Sequence, residues 1–132
     1  YTTLFRSIVF FAVALLPALV LIPASGWIMS WYGAELRIYY MAFIWAVIGA
    51  VLVVASIPFG QLLWTSNRVA ISVFSCVLEA GSFAAIFYVF RSWGAAAYMM
   101  AFAISSGVRA LVQGGSAWNL YWEHKNENKA KA

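Results

Sequence analysis

The chain has 132 residues, of which 65% are hydrophobic and 9% are charged, and its formal net charge is +4. Soluble domains average roughly 45–50% apolar and about 25% charged residues, so 8 basic and 4 acidic side chains are too few to cover a water-exposed surface. Composition therefore excludes an ordinary soluble domain. The arginines are spread singly along the chain, which also argues against the clustered basic face of a nucleic-acid-binding protein.

The first apolar segment is longer than one membrane crossing requires. Positions 7 to 34 carry no charged residue, whereas a helix needs only about 20 apolar residues to cross the hydrocarbon. Pro23, followed by Ser25 and Gly26, predicts a break, which limits the first span to 5–24. The following residues, 27–32, are predicted to form an interfacial turn that carries Trp27 and Trp31.

The second predicted span covers 38–57 and is closed by Pro58. It carries small residues at three- and four-residue spacing, which places them on one helix face and allows another helix backbone to approach closely. These predicted packing residues are Ala42, Ala46, Gly49 and Ala50. The polar segment 59–68, which includes Trp64, is predicted to be a loop.

The remaining chain yields two further spans and a polar tail. Spans are predicted at 69–90 and 95–112, joined by a tight connection at 91–94, and the second is expected to end at Gly114 and Gly115. The tail, 116–132, is predicted to lie along the membrane surface on an aromatic face, with its last seven or so residues disordered. The predicted fold is all-α and polytopic, with four transmembrane helices in an up-down bundle (1–115) and interfacial amphipathic turns.

Charged residues and tryptophans give the predicted orientation. Four spans place Arg6, Arg68 and three tail lysines on one side, and only Arg37 and Arg91 on the other. The positive-inside rule then places both termini in the cytoplasm. Of the seven tryptophans, six fall at predicted boundaries, as expected of interfacial anchors: Trp27, Trp31, Trp64, Trp93, Trp118 and Trp122. We expect an integral protein of a bacterial plasma (inner) membrane.

Glu79 is the polar residue that most needs an explanation, because it lies midway along the 69–90 span. A charged carboxylate at the bilayer centre is costly unless it is paired. Measured along the helices from the 91–94 turn, the heights of Glu79 and Arg109 differ by only about 4.5 Å. We therefore expect an intramembrane pair of Glu79 and Arg109 that holds the third and fourth spans in register. A proton- or cation-carrying role for Glu79 is the alternative.

The sequence offers little material for catalysis or cofactor binding. His124 is the single histidine and lies in the polar tail, and Cys76 is the single cysteine and lies in an apolar run. Neither a nucleophile–base set nor a thiolate metal cluster can be assembled from these residues. We expect no catalytic residues, no metal site and no cofactor, and hence no enzyme.

The expected function is that of a non-catalytic membrane subunit or accessory protein that stabilises a larger membrane complex through helix packing. Its expected partners are membrane lipid and other membrane protein subunits, with a homo-oligomer as a further arrangement and no nucleic acid. One alternative is a small oligomeric transporter or channel that uses Glu79 for proton or cation coupling. Another is a membrane immunity or regulatory protein that acts by contact with a partner.

Overall fold

The computed structural model describes residues 2–131 and, within them, the side chains of residues 5, 9–123, 125 and 126. This part of the chain is all-helical, as predicted. It contains four long α-helices, which we label α1 (Thr2–Trp31), α2 (Tyr40–Thr65), α3 (Val69–Phe90) and α4 (Ala95–Lys131). Each contains a segment that is long and apolar enough to cross a membrane. Short 3-10 helices, Ala34–Tyr39 and Arg91–Trp93, join α1 to α2 and α3 to α4.

The predicted break at Pro23 is wrong, because α1 continues through this proline to Trp31. Ending a helix in apolar surroundings would leave several backbone N–H and C=O groups without partners, whereas a proline removes one hydrogen bond. The predicted interfacial turn at 27–32 is therefore helical as far as Trp31. The chain turns instead at Gly33, whose φ of 124° and ψ of 148° suit glycine alone among residue types.

The predicted loop at 59–68 is also largely wrong, because α2 continues through Pro58 to Thr65 and leaves only residues 66–68 as a turn. A Schellman motif ends this helix. Asn67 adopts a left-handed conformation with φ of 57°. Its N–H donates to the carbonyl of Trp64, and the N–H of Arg68 donates to that of Leu63. The helix thus ends where these hydrogen bonds satisfy its last carbonyls.

The third helix coincides with the predicted span 69–90. It is followed by the tight connection expected at 91–94, which consists of the 3-10 helix Arg91–Trp93 and Gly94. Gly94 has φ of 59° and ψ of −130°, a combination that an L side chain adopts only with strain. The short connection places the end of α3 beside the start of α4.

The predicted end of the fourth span at Gly114 and Gly115 is wrong, because α4 continues as one helix of 37 residues to Lys131. The predicted surface-lying tail and its disordered last residues are therefore helical continuations of α4 as far as Lys131. A helix of this length extends about 55 Å. At the glycine pair α4 still packs against α2, because a Cβ atom at Gly114 would lie 3.9 Å from the ring of Phe59.

The central helix of the fold is α4, which packs extensively against both α2 and α3, while α1 packs against α2. Gly49 lies against Phe102, and Gly60 lies beside Gln113 farther along both helices, so α2 and α4 run in the same direction. In contrast, early residues of α3 contact late residues of α4. The helices follow the spatial order α1, α2, α4, α3, and the outer sides of α1 and α3 are free of contacts with other described elements.

Small side chains dominate the buried apolar residues, which allows the helix backbones to lie close together. Among the described side chains, the buried hydrophobic residues apart from Leu63 and Met100 are alanines, at positions 18, 42, 97, 101, 103 and 117. Large apolar side chains point outward along all four helices. This distribution is typical of helices surrounded by lipid, where the apolar solvent does not drive large side chains inward.

Candidate functional site

The structure brings Glu79 and Arg109 together in the interface between α3 and α4. Arg109 Nη1 lies 3.2 Å from Glu79 Oε2, and the hydroxyl of Ser106 donates to Glu79 Oε1 at 3.3 Å. The Glu79 and Arg109 side chains are 21% and 27% exposed, so most of each is covered by protein. Each carboxylate oxygen of Glu79 thus has one hydrogen-bond donor from α4.

A second layer of polar contacts continues from this pair towards the 66–68 turn. Gln113 is fully buried, and its Nε2 donates to Ser75 Oγ at 2.9 Å. Ser75 Oγ donates in turn to the carbonyl of Ser72 at 2.7 Å, and Trp64 Nε1 donates to Ser72 Oγ at 3.1 Å. These residues form one hydrogen-bonded cluster, and Glu79, Arg109 and Ser106 form a second in the same half of the α3–α4 interface. We call the two clusters together the polar layer.

Sequence reasoning did not identify Gln113 or Ser72 as site residues. The signal that could have found them is spacing, because Ser72, Ser75 and Glu79 recur at intervals of three and four, as do Ser106, Arg109 and Gln113. Such spacing places polar side chains on one face of each helix. In two otherwise apolar helices, two polar faces indicate a shared interface.

Two buried polar atoms of this layer have no hydrogen-bond partner among the described residues: Arg109 Nε and Gln113 Oε1. A buried unpaired donor or acceptor costs about 1–3 kcal/mol. Gly60 of α2 faces the Gln113 amide, and a Cβ at Gly60 would lie 3.4 Å from Gln113 Oε1. The absence of a side chain at Gly60 thus allows the α2 backbone to lie close to the Gln113 amide.

A groove lies between α2 and α3, and Arg109 of α4 forms part of its lining. Its volume is about 530 Å³. We call it the α2–α3 groove; its lining residues are Ile57, Gly60, Gln61, Trp64, Thr65, Ser72 and Arg109. The groove exists because α2 and α3 make few contacts with each other and are held apart by α4. Arg109 lies both in the groove lining and in the ion pair, so the groove reaches the pair.

The other half of the α3–α4 interface is aromatic. The ring of Tyr98 lies edge-on to Phe83, with centroids 5.2 Å apart, and edge-on to Phe87 at 6.0 Å. The hydroxyl of Ser82 donates to the carbonyl of Glu79 on its own helix and does not extend the polar layer. Glu79 therefore separates a polar half of the interface, on the side of the 66–68 turn, from an aromatic half on the side of the 91–94 turn.

The predicted packing residues of α2 lie in contacts within the chain. Ala42 and Gly49 are buried and Ala46 is half-buried. A Cβ at Gly49 would lie 2.5 Å from the Phe102 ring of α4, so this position has no room for a side chain. Ala50 points to α1, where it lines a shallow apolar groove. This stripe thus serves packing against α4 and α1.

A second row of small residues, which sequence reasoning missed, lies on the outer side of α3. Ala80, Gly81, Ala84 and Ala85 are all exposed, and a Cβ at Gly81 would meet no atom within 4 Å. Gly81 and Ala85, like Ala80 and Ala84, have the four-residue spacing of close helix contacts in membranes. We call these four residues the α3 small-residue face.

All six predicted tryptophan anchors are exposed: Trp27, Trp31, Trp64, Trp93, Trp118 and Trp122. Lys125 Nζ lies 4.7 Å from the centre of the Trp122 ring. Near the same end of α4, Arg68 Nη2 lies 2.9 Å from Glu123 Oε2 in an exposed ion pair. These contacts place aromatic and charged groups together where α4 passes the 66–68 turn.

Among the described residues, no group of three histidine, cysteine, aspartate or glutamate side chains is placed to hold a metal ion. Cys76 is exposed on α3, and the side chain of His124 lies outside the described residues. Comparisons with protein-family models, with curated proteins and with solved structures find no match. The candidate site is therefore defined by its geometry: the Glu79–Arg109 pair, its polar layer, the α2–α3 groove and the α3 small-residue face.

Proposed function

We propose that this chain is a non-catalytic integral membrane subunit that assembles with other membrane proteins through α3. The observation that carries the proposal is the exposed α3 small-residue face. Small-xxx-small spacing lets two helix backbones approach closely enough for extensive van der Waals contact. On α2 the comparable stripe packs mainly against α4 and borders α1 within the chain, whereas on α3 the face is free to accept a helix from another chain.

In this proposal the four helices cross a bacterial plasma membrane in an up-down arrangement, with both ends of the chain and the 66–68 turn in the cytoplasm. Two observations support it. Helices α2 and α4 run in the same direction while α3 runs opposite to α4, as alternate crossings require. The basic residues Arg6 and Arg68 and the tail lysines then share one side, as the positive-inside rule favours.

The experiment measures assembly by gentle detergent purification and native electrophoresis. The chain is expected to migrate in a complex with a second membrane protein or with further copies of itself. Gly81→Leu is expected to abolish that complex because the new side chain holds the partner backbone away. The matched control is Ala12→Leu, which makes a small residue large at an exposed position of α1.

Two results would contradict the proposal. The first is a chain that migrates alone under conditions that keep membrane complexes intact. The second is a complex that survives Gly81→Leu as well as it survives Ala12→Leu, because assembly would then not depend on the α3 small-residue face.

A small oligomeric transporter or channel is the second candidate, and the α2–α3 groove is the observation that favours it. Arg109 lines this groove and binds Glu79, so an ion entering the groove would meet the pair. In reconstituted vesicles, Glu79→Gln is expected to abolish proton- or cation-linked flux because the carboxylate charge is lost. Flux that is unchanged by Glu79→Gln would exclude this role for Glu79.

A further inference from the structure

We infer that the α2–α3 groove is a one-sided, water-filled vestibule that connects the Glu79–Arg109 pair to the aqueous phase beside the 66–68 turn. The inference rests on the membrane insertion proposed above. It does not depend on assembly through α3 or on transport. Its ligand is water, together with small hydrophilic solutes that water carries.

The chemistry of the lining favours water over a lipid chain. Gln61, Thr65, Ser72 and Arg109 contribute polar groups to the groove, and an acyl chain offers none of them a hydrogen bond. Unpaired polar groups in hydrocarbon cost several kcal/mol each. Ser72 Oγ, Thr65 Oγ1 and Arg109 Nη1 already have partners within the chain. The groups that need water are therefore the Gln61 amide and the other N–H groups of Arg109, which lipid leaves unpaired.

The two unpartnered atoms beside the groove point to the same occupant. Gln113 Oε1 accepts and Arg109 Nε donates, and both are buried without a partner among the described residues. They lie four residues apart on α4, which places them on one helix face. A buried water typically makes two to four hydrogen bonds, and each of these atoms is a partner of the kind that such a water requires. Gly60, which lines the groove, lies directly beside the Gln113 amide.

The vestibule is one-sided because the α3–α4 interface changes character at Glu79. The polar layer and the groove lie towards the 66–68 turn. Towards the 91–94 turn, Phe83, Phe87 and Tyr98 pack edge to face and present no continuous row of hydrogen-bonding groups between the helices. Water thus reaches the pair from one side of the membrane only.

Cysteine labelling in oriented membrane vesicles tests this inference. The background carries Cys76→Ala, and the probe is a membrane-impermeant, positively charged methanethiosulfonate added to inside-out or right-side-out vesicles. Ile57→Cys is the deep groove position. Val77→Cys is its matched control, because each residue lies eight positions from the helix end at the 66–68 turn and Val77 faces away from the groove.

Ser66→Cys and Ser92→Cys report the two exposed turns and so identify the side from which the reagent acts. We expect Ile57→Cys to react from the same side as Ser66→Cys, at least about tenfold faster than Val77→Cys, because the reactive thiolate forms in water. Gln61→Cys, at an exposed position nearer the turn, is a second groove variant and is expected to behave in the same way.

Three results would overturn the inference. Ile57→Cys and Gln61→Cys reacting as slowly as Val77→Cys would show that lipid or protein fills the groove. Equal reaction of Ile57→Cys from both sides would show that the vestibule is not one-sided. Val77→Cys reacting as fast as Ile57→Cys would show that water is not confined to the groove. Labelling is measured in membranes and assembly in detergent, so this inference and the proposed subunit role can fail separately.

Discussion

Replacing Glu79 with alanine tests the energetic importance of the Glu79–Arg109 pair. The change removes the oxygen atoms that bind Arg109 and Ser106 and leaves the guanidinium without an anionic partner. Breaking one partner of a buried ion pair costs about 3–5 kcal/mol. Because both side chains keep some exposure, 21% and 27%, we expect the low end, so Glu79→Ala should lower the free energy of unfolding by about 3 kcal/mol.

A double-mutant cycle measures the interaction energy between Glu79 and Arg109 apart from the other effects of each substitution. Arg109→Ala is expected to be destabilising as well, but the double variant should cost less than the sum of the two single variants, with a coupling energy of about 2 kcal/mol. The chain provides a matched control in Arg68 and Glu123, which pair at 2.9 Å with side chains 44% and 54% exposed. Exposed pairs couple by less than about 1 kcal/mol.

The assay is equilibrium unfolding in mixed detergent micelles with increasing sodium dodecyl sulfate, followed by circular dichroism. Additive effects of Glu79→Ala and Arg109→Ala, within about 0.5 kcal/mol, would refute the reasoning because they would show that the two side chains do not interact. A larger coupling for Arg68 and Glu123 than for Glu79 and Arg109 would refute the assumption that burial strengthens the pair.

Three backbone positions carry further predictions for the same unfolding assay. Gly49→Ala should lower the free energy of unfolding by about 1–3 kcal/mol because its Cβ would meet the Phe102 ring at 2.5 Å. The control is Gly81→Ala, where the new Cβ meets open space. An equal loss of stability in Gly81→Ala would contradict this explanation. Asn67→Val should lower the free energy of unfolding by about 1–2 kcal/mol because a β-branched residue resists the left-handed conformation, whereas Asn67→Gly should not. Equal effects of the two substitutions would exclude the Schellman motif as the reason that α2 ends here. Gly94→Ala should cost about 1–3 kcal/mol through backbone strain, and unchanged stability would show that the turn adapts.

The features that depend on composition and on distance along a helix could be predicted from the sequence. The bounds of α3 follow from Arg68 and Arg91, which flank an apolar run of suitable length for one crossing. The proximity of Glu79 to Arg109 follows because a tight turn fixes the register of two adjacent helices and the rise per residue is constant. Neither prediction requires knowledge of side-chain packing.

The predicted helix ends failed for a common physical reason. Pro23, Pro58 and the glycine pair at 114 and 115 were interpreted with rules that hold best where water can satisfy free backbone groups. In the membrane insertion proposed above, ending a helix costs more than tolerating a proline or two glycines within it. The ends that do occur, at Asn67 and Gly94, are places where specific turn conformations replace the lost helical hydrogen bonds.

The groove could not be predicted because it depends on how far apart α2 and α3 lie. That separation is set by α4, which packs between them, and Gly49 permits the close α2–α4 contact on one side. Gln113 was predictable in principle from its four-residue spacing to Arg109. Its partner Ser75 lies on another helix, however, and the polar layer becomes visible only once the α3–α4 register is known.

The two faces of α3 connect the ion pair with the proposed interface. At about 100° of rotation per residue, Gly81 lies about 160° around the helix axis from Glu79, so one faces outward when the other faces α4. The bond from Arg109 to Glu79 resists rotation of α3, because turning the helix would carry the carboxylate away from the guanidinium into apolar surroundings. In the proposed subunit role, Glu79 is thus a positioning residue: its bond to Arg109 fixes the direction in which the α3 small-residue face is presented to another helix.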